Sequence, residues 1–289
     1  MSYVPCRQRT FELSLASEME YHAWHYLNWL KHLAERLGRE PALALWQDAF
    51  ETYDEKLLSQ ILATGWQAVA QDERHDIARG LSEVVDELFP AAVEGVSAAQ
   101  ARAILARTPP FRQIAQHLPE VNVKRQITTY EALHLFRDGL ACLAEALIAR
   151  YGKQGELIAY DALLEEWPPS PDPRMSVENF MSRRAARFAA EPEEADIFSA
   201  GLEVEFVRAS DSEVVTRVVE CEWARYFLER HPGVGYLLAC SLDNAAYRSF
   251  NDRLRLQRRS TLMEGGPACD FRVYALETTP PPESADYGR

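Results

Sequence analysis

Residues 17–37 read as a helix, whose faces repeat every 3.6 residues. Glu18, His22, His25, Trp29 and His32 share one side of it. Gly38 can end this helix, and Pro41 fits the first turn of the next. The same period continues from 41 to 70 through Leu45, Phe50, Leu57, Leu58, Ile61, Leu62, Trp66 and Val69, and predicts one long second helix. A third is expected over 73–89, with Ile77, Leu81, Val84, Val85 and Leu88 inward and Pro90 as its stop. Ser97 with Gln100 forms a capping-box pattern for a short helix to Arg107, which Thr108-Pro109-Pro110 breaks. Thr128 with Glu131 is a second such pattern. It opens a helix expected to run to Tyr151 on Leu133, Phe136, Leu140, Leu143 and Leu147. Gly152 and Gly155 interrupt the pattern, and a shorter helix reaches Trp167. No β-rich stretch stands out in this half, so an antiparallel helical bundle is the simplest packing.

The period changes after residue 197. Leu202, Val204 and Phe206 alternate with polar residues, and Val214, Val215, Val218 and Val219 follow the turn at 209–213. Helices are expected over 222–230 and 243–250, then strands over 254–262 and 269–276 around Glu264-Gly265-Gly266-Pro267. The predicted fold class is α+β: a helical domain over 1–167, a Pro-rich linker and short helix over 168–197, and a small unit with a mainly antiparallel sheet over 198–277. A disordered tail is expected over 278–289.

Composition narrows the partners. The 289 residues are 47% apolar and 26% charged, as in ordinary globular domains. No apolar run is long enough to span a membrane, and the start lacks the pattern of a secretory signal, so a cytoplasmic location is expected. A net charge of −13, from 31 basic and 44 acidic side chains, repels phosphate backbones. The cluster Arg253, Arg255, Arg258 and Arg259 has no interleaved aromatics, and no nucleic-acid partner is expected. A small-molecule substrate is expected, and a homo-oligomer is compatible with the sequence. The five cysteines, Cys6, Cys142, Cys221, Cys240 and Cys269, include no close pair, which argues against a disulfide framework.

Candidate chemistry lies in two places. Cys221, Cys240 and Cys269 each fall at the end of a predicted element, and element ends on one side of a sheet can converge. Convergence would permit thiolate attack, with Asp243 or His231 as a partner for Cys240, or zinc held by three thiolates. Separations of nineteen and twenty-nine residues lack the CxxC staple of common zinc sites. Buried cysteines acting only as small hydrophobes are the plain alternative. Gly265 and Gly266 can shape a nest of backbone N–H groups for a carboxylate, and Arg272 can clamp one bidentately. In the helical half, His22, His25, Glu131 and His134 could bind zinc or another divalent metal, although a second Glu-x-x-His is missing. Core histidines and a helix-capping Glu131 are the simpler reading. Nucleotide-binding glycine loops and the serine elbow are absent.

Three blocks then carry a resemblance. Cys221-Glu222-Trp223-Ala224-Arg225-Tyr226-Phe227, Cys240-Ser241-Leu242-Asp243, and Arg259-Ser260-Thr261-Leu262 followed by Gly265-Gly266-Pro267-Ala268-Cys269-Asp270-Phe271-Arg272 resemble the L-2-amino-thiazoline-4-carboxylic acid hydrolase family. The resemblance covers about residues 217–274. It implies a hydrolase that opens a thiazoline ring to a carbamoyl-cysteine. The shared positions are Cys221, Cys240, Asp243, Thr261, Gly265, Gly266, Cys269 and Asp270. On this basis Cys240, Asp243, Cys269 and Asp270 are the expected catalytic groups, and Arg272, Gly265, Gly266, Arg259 and Thr261 the expected substrate contacts. A different small-molecule enzyme using the helical His/Glu groups, and a ligand-binding sensor with cysteine-bound metal, are the rival readings.

Overall fold

The computed structural model describes residues 5–69, 77–118, 123–165, 176–182 and 200–276. The expected Pro-rich linker around 168–173, part of the short helix expected before 197 and the tail from 278 lie outside these. The fold is α+β, in two compact units. One holds Thr10–Ala162. The other joins the described residues of 1–9 to those of 163–289, whereas the sequence reading places residues 1–9 in the helical half.

The helical unit contains β1 (Thr10–Ser14), α1 (Leu15–Leu37), α2 (Arg39–Phe50), α3 (Glu55–Ala63), β2 (Gln67–Ala68), α4 (Ile77–Leu88), α5 (Ala98–Arg107), α6 (Pro109–His117), β3 (Val123–Thr128), α7 (Thr129–Phe136), α8 (Asp138–Tyr151) and α9 (Lys153–Leu164), whose last two residues pass into the other unit. Helix α1 carries much of its core: Tyr26, Leu27, Trp29, Leu30 and Leu33 have 1% exposure or less. Each large apolar side chain so buried is worth about 1.5–3 kcal/mol against exposure. Gly38, at φ 80°, ends this helix and donates to the Ala34 carbonyl, as its position suggests. Both capping boxes form as predicted, Ser97 with Gln100 and Thr128 with Glu131.

Three expectations need correction. The single helix over 41–70 is two helices, because Asp54 caps α3 by accepting from the Leu57 N–H at 3.1 Å. The helix expected from 128 to 151 is broken at Arg137 between α7 and α8. This half also contains β structure: β1, β3 and β2 form an antiparallel sheet in that order. Its signal is the Phe11/Leu13 alternation, buried against exposed Thr10, Glu12 and Ser14. Five residues of period two are easily lost beside a 23-residue helix.

The second unit follows the predicted order: β4 (Leu202–Ser210), β5 (Glu213–Cys221), α10 (Glu222–Arg230), α11 (Asp243–Phe250), β6 (Leu254–Gln257) and β7 (Cys269–Ala275). The sheet is antiparallel, in the order β4-β5-β7-β6. Val214, Leu254 and Val273 pack with Tyr247 of α11 and with Val177, Phe180 and Met181 of the helical residues 177–182. Strand β6 is shorter than expected. After Gln257 the chain leaves the sheet, and Leu262–Glu264 form a 3-10 turn. Between α10 and α11, Tyr236–Cys240 form one turn of π-helix, a rare element often found at functional sites.

Candidate active site

The second unit brings its three cysteines together by three different routes. Cys221 ends β5 and caps α10, and its sulfur accepts the Ala224 N–H at 3.3 Å. Cys240 ends the π-turn. Cys269 opens β7, is buried, and accepts the Leu262 N–H at 3.1 Å. Cys221 and Cys269 lie near enough to Cys240, and Cys269 to Cys221, for their charge to raise the neighbouring thiol's pKa, and Asp243 raises all three.

Burial is the largest influence on each thiol. It holds Cys221 up at about 12, against the opposing N–H groups of Ala224 and Trp223 at the start of α10. Burial also raises Cys240 and Cys269, while the Arg258 guanidinium pulls both down. These thiols are therefore protonated at neutral pH, even with Arg258 beside two of them.

Arg258 organises this cluster. It forms an ion pair with Asp243 and donates to the Cys240 carbonyl at 2.9 Å. Its guanidinium lies over Tyr236 at 5.7 Å and Phe271 at 5.3 Å. The side chain is only 9% exposed. Burial works against its charge, but Asp243 and Cys240 more than offset this and raise its pKa. An unpaired guanidinium here would be costly, so the partner carboxylate holds it in place. The sequence reading saw Arg258 only within a basic cluster. Its signal was its place just before the Arg259-Ser260-Thr261 block, which periodicity alone does not resolve.

The closing block has a largely architectural geometry. Asp270 Oδ1 accepts the backbone N–H groups of Arg259 at 2.8 Å and Ser260 at 2.7 Å. Thr261 is buried, caps the 3-10 turn and bonds Glu264. Gly265 and Gly266 donate their N–H groups to Leu262 and Thr261 carbonyls within the same turn. The expected nest for a substrate carboxylate is therefore already occupied by backbone. Gly266 is required sterically: a Cβ there would sit 2.1 Å from Ser260 Oγ and 2.9 Å from the Thr261 carbonyl. Arg272 is exposed on the sheet, paired to Glu213 and 2.9 Å from Gln257. The Arg259 side chain is exposed.

A cleft of about 470 Å³ adjoins the cluster. It is lined by Pro5, Cys6, Arg7, Val219, Glu220, Cys221, Glu222, Ala224, Arg225, Leu228 and Leu262. Of the three clustered thiols, Cys221 is the one that lines it.

Residues 132–273 match the L-2-amino-thiazoline-4-carboxylic acid hydrolase family. The matched segment begins in α7 and ends in β7, so it includes all three clustered cysteines, Asp243, Arg258 and the closing block. The resemblance of the three sequence blocks is thus borne out over a longer stretch than the blocks themselves. At the level of the family, the description is that of a hydrolase. No curated protein and no solved structure matches the chain.

The candidate metal groups are less closely assembled. The ligand atoms of Cys221, Cys240, Cys269 and Asp243 include no three that all lie within 4.8 Å of one another. In the helical unit the four proposed ligands divide. His22 pairs with Glu18 at 3.2 Å and stacks on Phe136 at 4.3 Å. His25 packs edge-on against Tyr21 and Trp24. Glu131 caps α7 and binds Arg125 at 2.7 Å. His134 stacks on Tyr53 and reaches Asp54 O at 3.2 Å and Asp138 at 3.3 Å. One helix face collects His22 and His25, but Glu131 and His134 are held elsewhere. Among the described residues, no helix is long and apolar enough to cross a membrane.

Proposed function

We propose that the second unit hydrolyses a small heterocyclic, amidine-like acid of the 2-amino-thiazoline-4-carboxylate class, with the Cys221 thiol meeting the ring. The family match supports the reaction class. The position of Cys221 carries the assignment: it lines the cleft, and two backbone N–H groups at the start of α10 favour its thiolate. This moves the nucleophile's role from Cys240, the thiol expected from sequence, to its neighbour.

The ring carbon between nitrogen and sulfur is the electrophile. A buried thiol and a bound amidine can exchange a proton, giving a thiolate beside an amidinium. The new cation lowers the thiol's effective pKa where burial alone raises it. Cys221 sulfur then adds to the ring carbon, and collapse expels the ring sulfur, which regains a proton. The substrate is left attached to Cys221 through a carbon bearing two nitrogens. Water adds to that carbon, Asp243 takes the proton, and the Cys221 sulfur departs and is reprotonated. One water is consumed, one ring C–S bond is broken, and no redox change occurs. Cys240, Cys269 and Arg258 support this sequence by holding Asp243 and the thiol in one low-dielectric cluster. No step requires a cofactor.

The test is steady-state ring opening of 2-amino-thiazoline-4-carboxylate by wild type, Cys221→Ser, Cys240→Ser and Asp243→Asn. The reading expects a loss of about 10³-fold or more for Cys221→Ser and about 10²–10⁴-fold for Asp243→Asn. Near-wild-type turnover by Cys221→Ser would overturn the assignment of the nucleophile.

A further inference from the structure

The cleft has a wall that comes from outside the family-matched segment. Pro5–Arg9 belong to the same compact unit as β5 and α10, although almost the whole helical unit separates them in sequence. The anchoring is specific. Cys6 donates its backbone N–H to Glu220 at 3.4 Å, and its thiol donates to the same carboxylate at 3.4 Å and to Glu222 at 3.8 Å. Arg9 ion-pairs with Glu203 and donates to the Leu202 carbonyl at 3.1 Å. Cys6 is 2% exposed. Residues on both β4 and β5 therefore hold this strap, and Pro5, Cys6 and Arg7 line the cleft with Cys221.

The strap also supplies a charge. Two cations line the cleft, Arg7 and Arg225. Arg225 is engaged with Glu222 through Nε at 3.0 Å and Nη2 at 2.6 Å. The cations expected from sequence to hold a substrate acid are also accounted for: Arg272 is paired on the sheet, and the Arg259 side chain is exposed away from the cleft lining. Arg7 has no carboxylate partner among the described residues. It is exposed and attached to a backbone that is pinned on both sides. A guanidinium so placed suits a small carboxylate, which it can bind with two parallel hydrogen bonds. Glu220, on the same wall, would face the opposite charge of an amidinium.

We infer that Arg7 is the specificity-determining residue of the cleft: it binds the carboxylate of the acidic substrate, and the N-terminal strap is part of the substrate site. The inference deepens the hydrolase reading, on which the identity of the acid rests. The presence of an anion-selective cation at the cleft can be tested without it.

The experiment compares 2-amino-thiazoline-4-carboxylate with its carboxamide, using the full chain as wild type, Arg7→Met and Arg7→Lys. For the acid, KM is expected to rise about 10–100-fold in Arg7→Met, the scale of one lost charge-assisted contact. The kcat should stay within about 3-fold, and Arg7→Lys should recover part of the loss. For the carboxamide, Arg7→Met should leave KM within about 2-fold. An unchanged KM for the acid would overturn the inference, as would an equal rise for both compounds, which would mean that the strap acts through packing alone. Should wild type turn over neither compound, the hydrolase reading fails, and titration calorimetry with the same two compounds then decides the inference. Preference for the acid in wild type, lost in Arg7→Met, supports it. Equal binding of acid and carboxamide by wild type, or binding of neither, overturns it.

Discussion

The two units treat their candidate ligand and catalytic side chains in opposite ways. The helical unit places several histidines and carboxylates on neighbouring helices, a pattern that suggests a metal centre on paper. Its structure assigns each of them separately: His22 to Phe136, Glu131 to its own helix cap, His134 to Tyr53 and the Asp54 carbonyl. The second unit scatters its three thiols and Asp243 over almost fifty residues. There the ends of a strand, a π-turn and another strand meet, with a buried arginine holding the carboxylate. Helical spacing tells which residues share a face, but a site needs several elements to aim at one point. Element ends do this more readily than helix faces already engaged by aromatic neighbours.

That contrast can be broken by substitution. Beyond Cys221 and Asp243 themselves, the largest effect is expected at Arg258. Arg258→Met takes the Arg258 ion pair from the Asp243 carboxylate, and ring opening should fall about 10²-fold or more. Stability should fall by about 1–3 kcal/mol in chemical denaturation. His22→Phe keeps the stack on Phe136 and removes a histidine that burial, the largest cause, holds neutral with a pKa well below its usual range. Its kcat is expected to stay within about 3-fold. A comparable loss in His22→Phe would end the distinction between the units.

Gly266→Ala comes next. The added methyl meets Ser260 Oγ and the Thr261 carbonyl, and one of them must move. A loss of about 1–3 kcal/mol is expected, read as a lower melting temperature. Retained stability would show that the turn can relax.

The pH dependence of folding gives a third test. The folded state holds Cys221 protonated up to about 12, from an ordinary value of 9.0. Above pH 9 the unfolded chain loses this proton first, so the folded state binds more protons and stability falls as pH rises. The contribution is fully present below about pH 9 and disappears through the window up to about 12. Denaturation curves at pH 8 and 10.5 should show the decline, and Cys221→Ser should reduce its slope. An identical slope would place the decline on other groups.

The smallest effect separates two carboxylates that the sequence treats alike. Asp270 serves two backbone N–H groups, a role an Asn side-chain oxygen can largely fill. Asp270→Asn should cost about 0.5–1 kcal/mol and leave kcat within a few-fold. A loss as large as that of Asp243→Asn would return Asp270 to the chemistry.

Much of this arrangement was legible in the residues. Alternation and glycine turns gave the strand and helix order of the second unit, and both capping boxes formed where Ser97 and Thr128 announce them. The three cysteines were visible as a set because each sits where a pattern ends. Long-range pairing was not legible. Nothing local tells that β1 joins β3 across more than a hundred residues, or that Cys6 and Arg7 return to the wall beside Cys221. Arg258 was hidden for a related reason: it sits in a basic cluster beside the exposed Arg259, and only tertiary packing turns this one inward. The glycine pair read as an anion nest because its backbone freedom was visible, whereas the carbonyls that accept its N–H groups were not.

The central claim is that Cys221 meets the substrate in the cleft. The most direct measurement is acid quenching of the full-length protein during turnover of 2-amino-thiazoline-4-carboxylate, followed by tryptic peptide mapping. The account predicts a mass increase equal to one intact substrate on peptide 218–225, which contains Cys221. That adduct on the Cys240 or Cys269 peptide instead, or steady turnover with peptide 218–225 unmodified throughout, would contradict it.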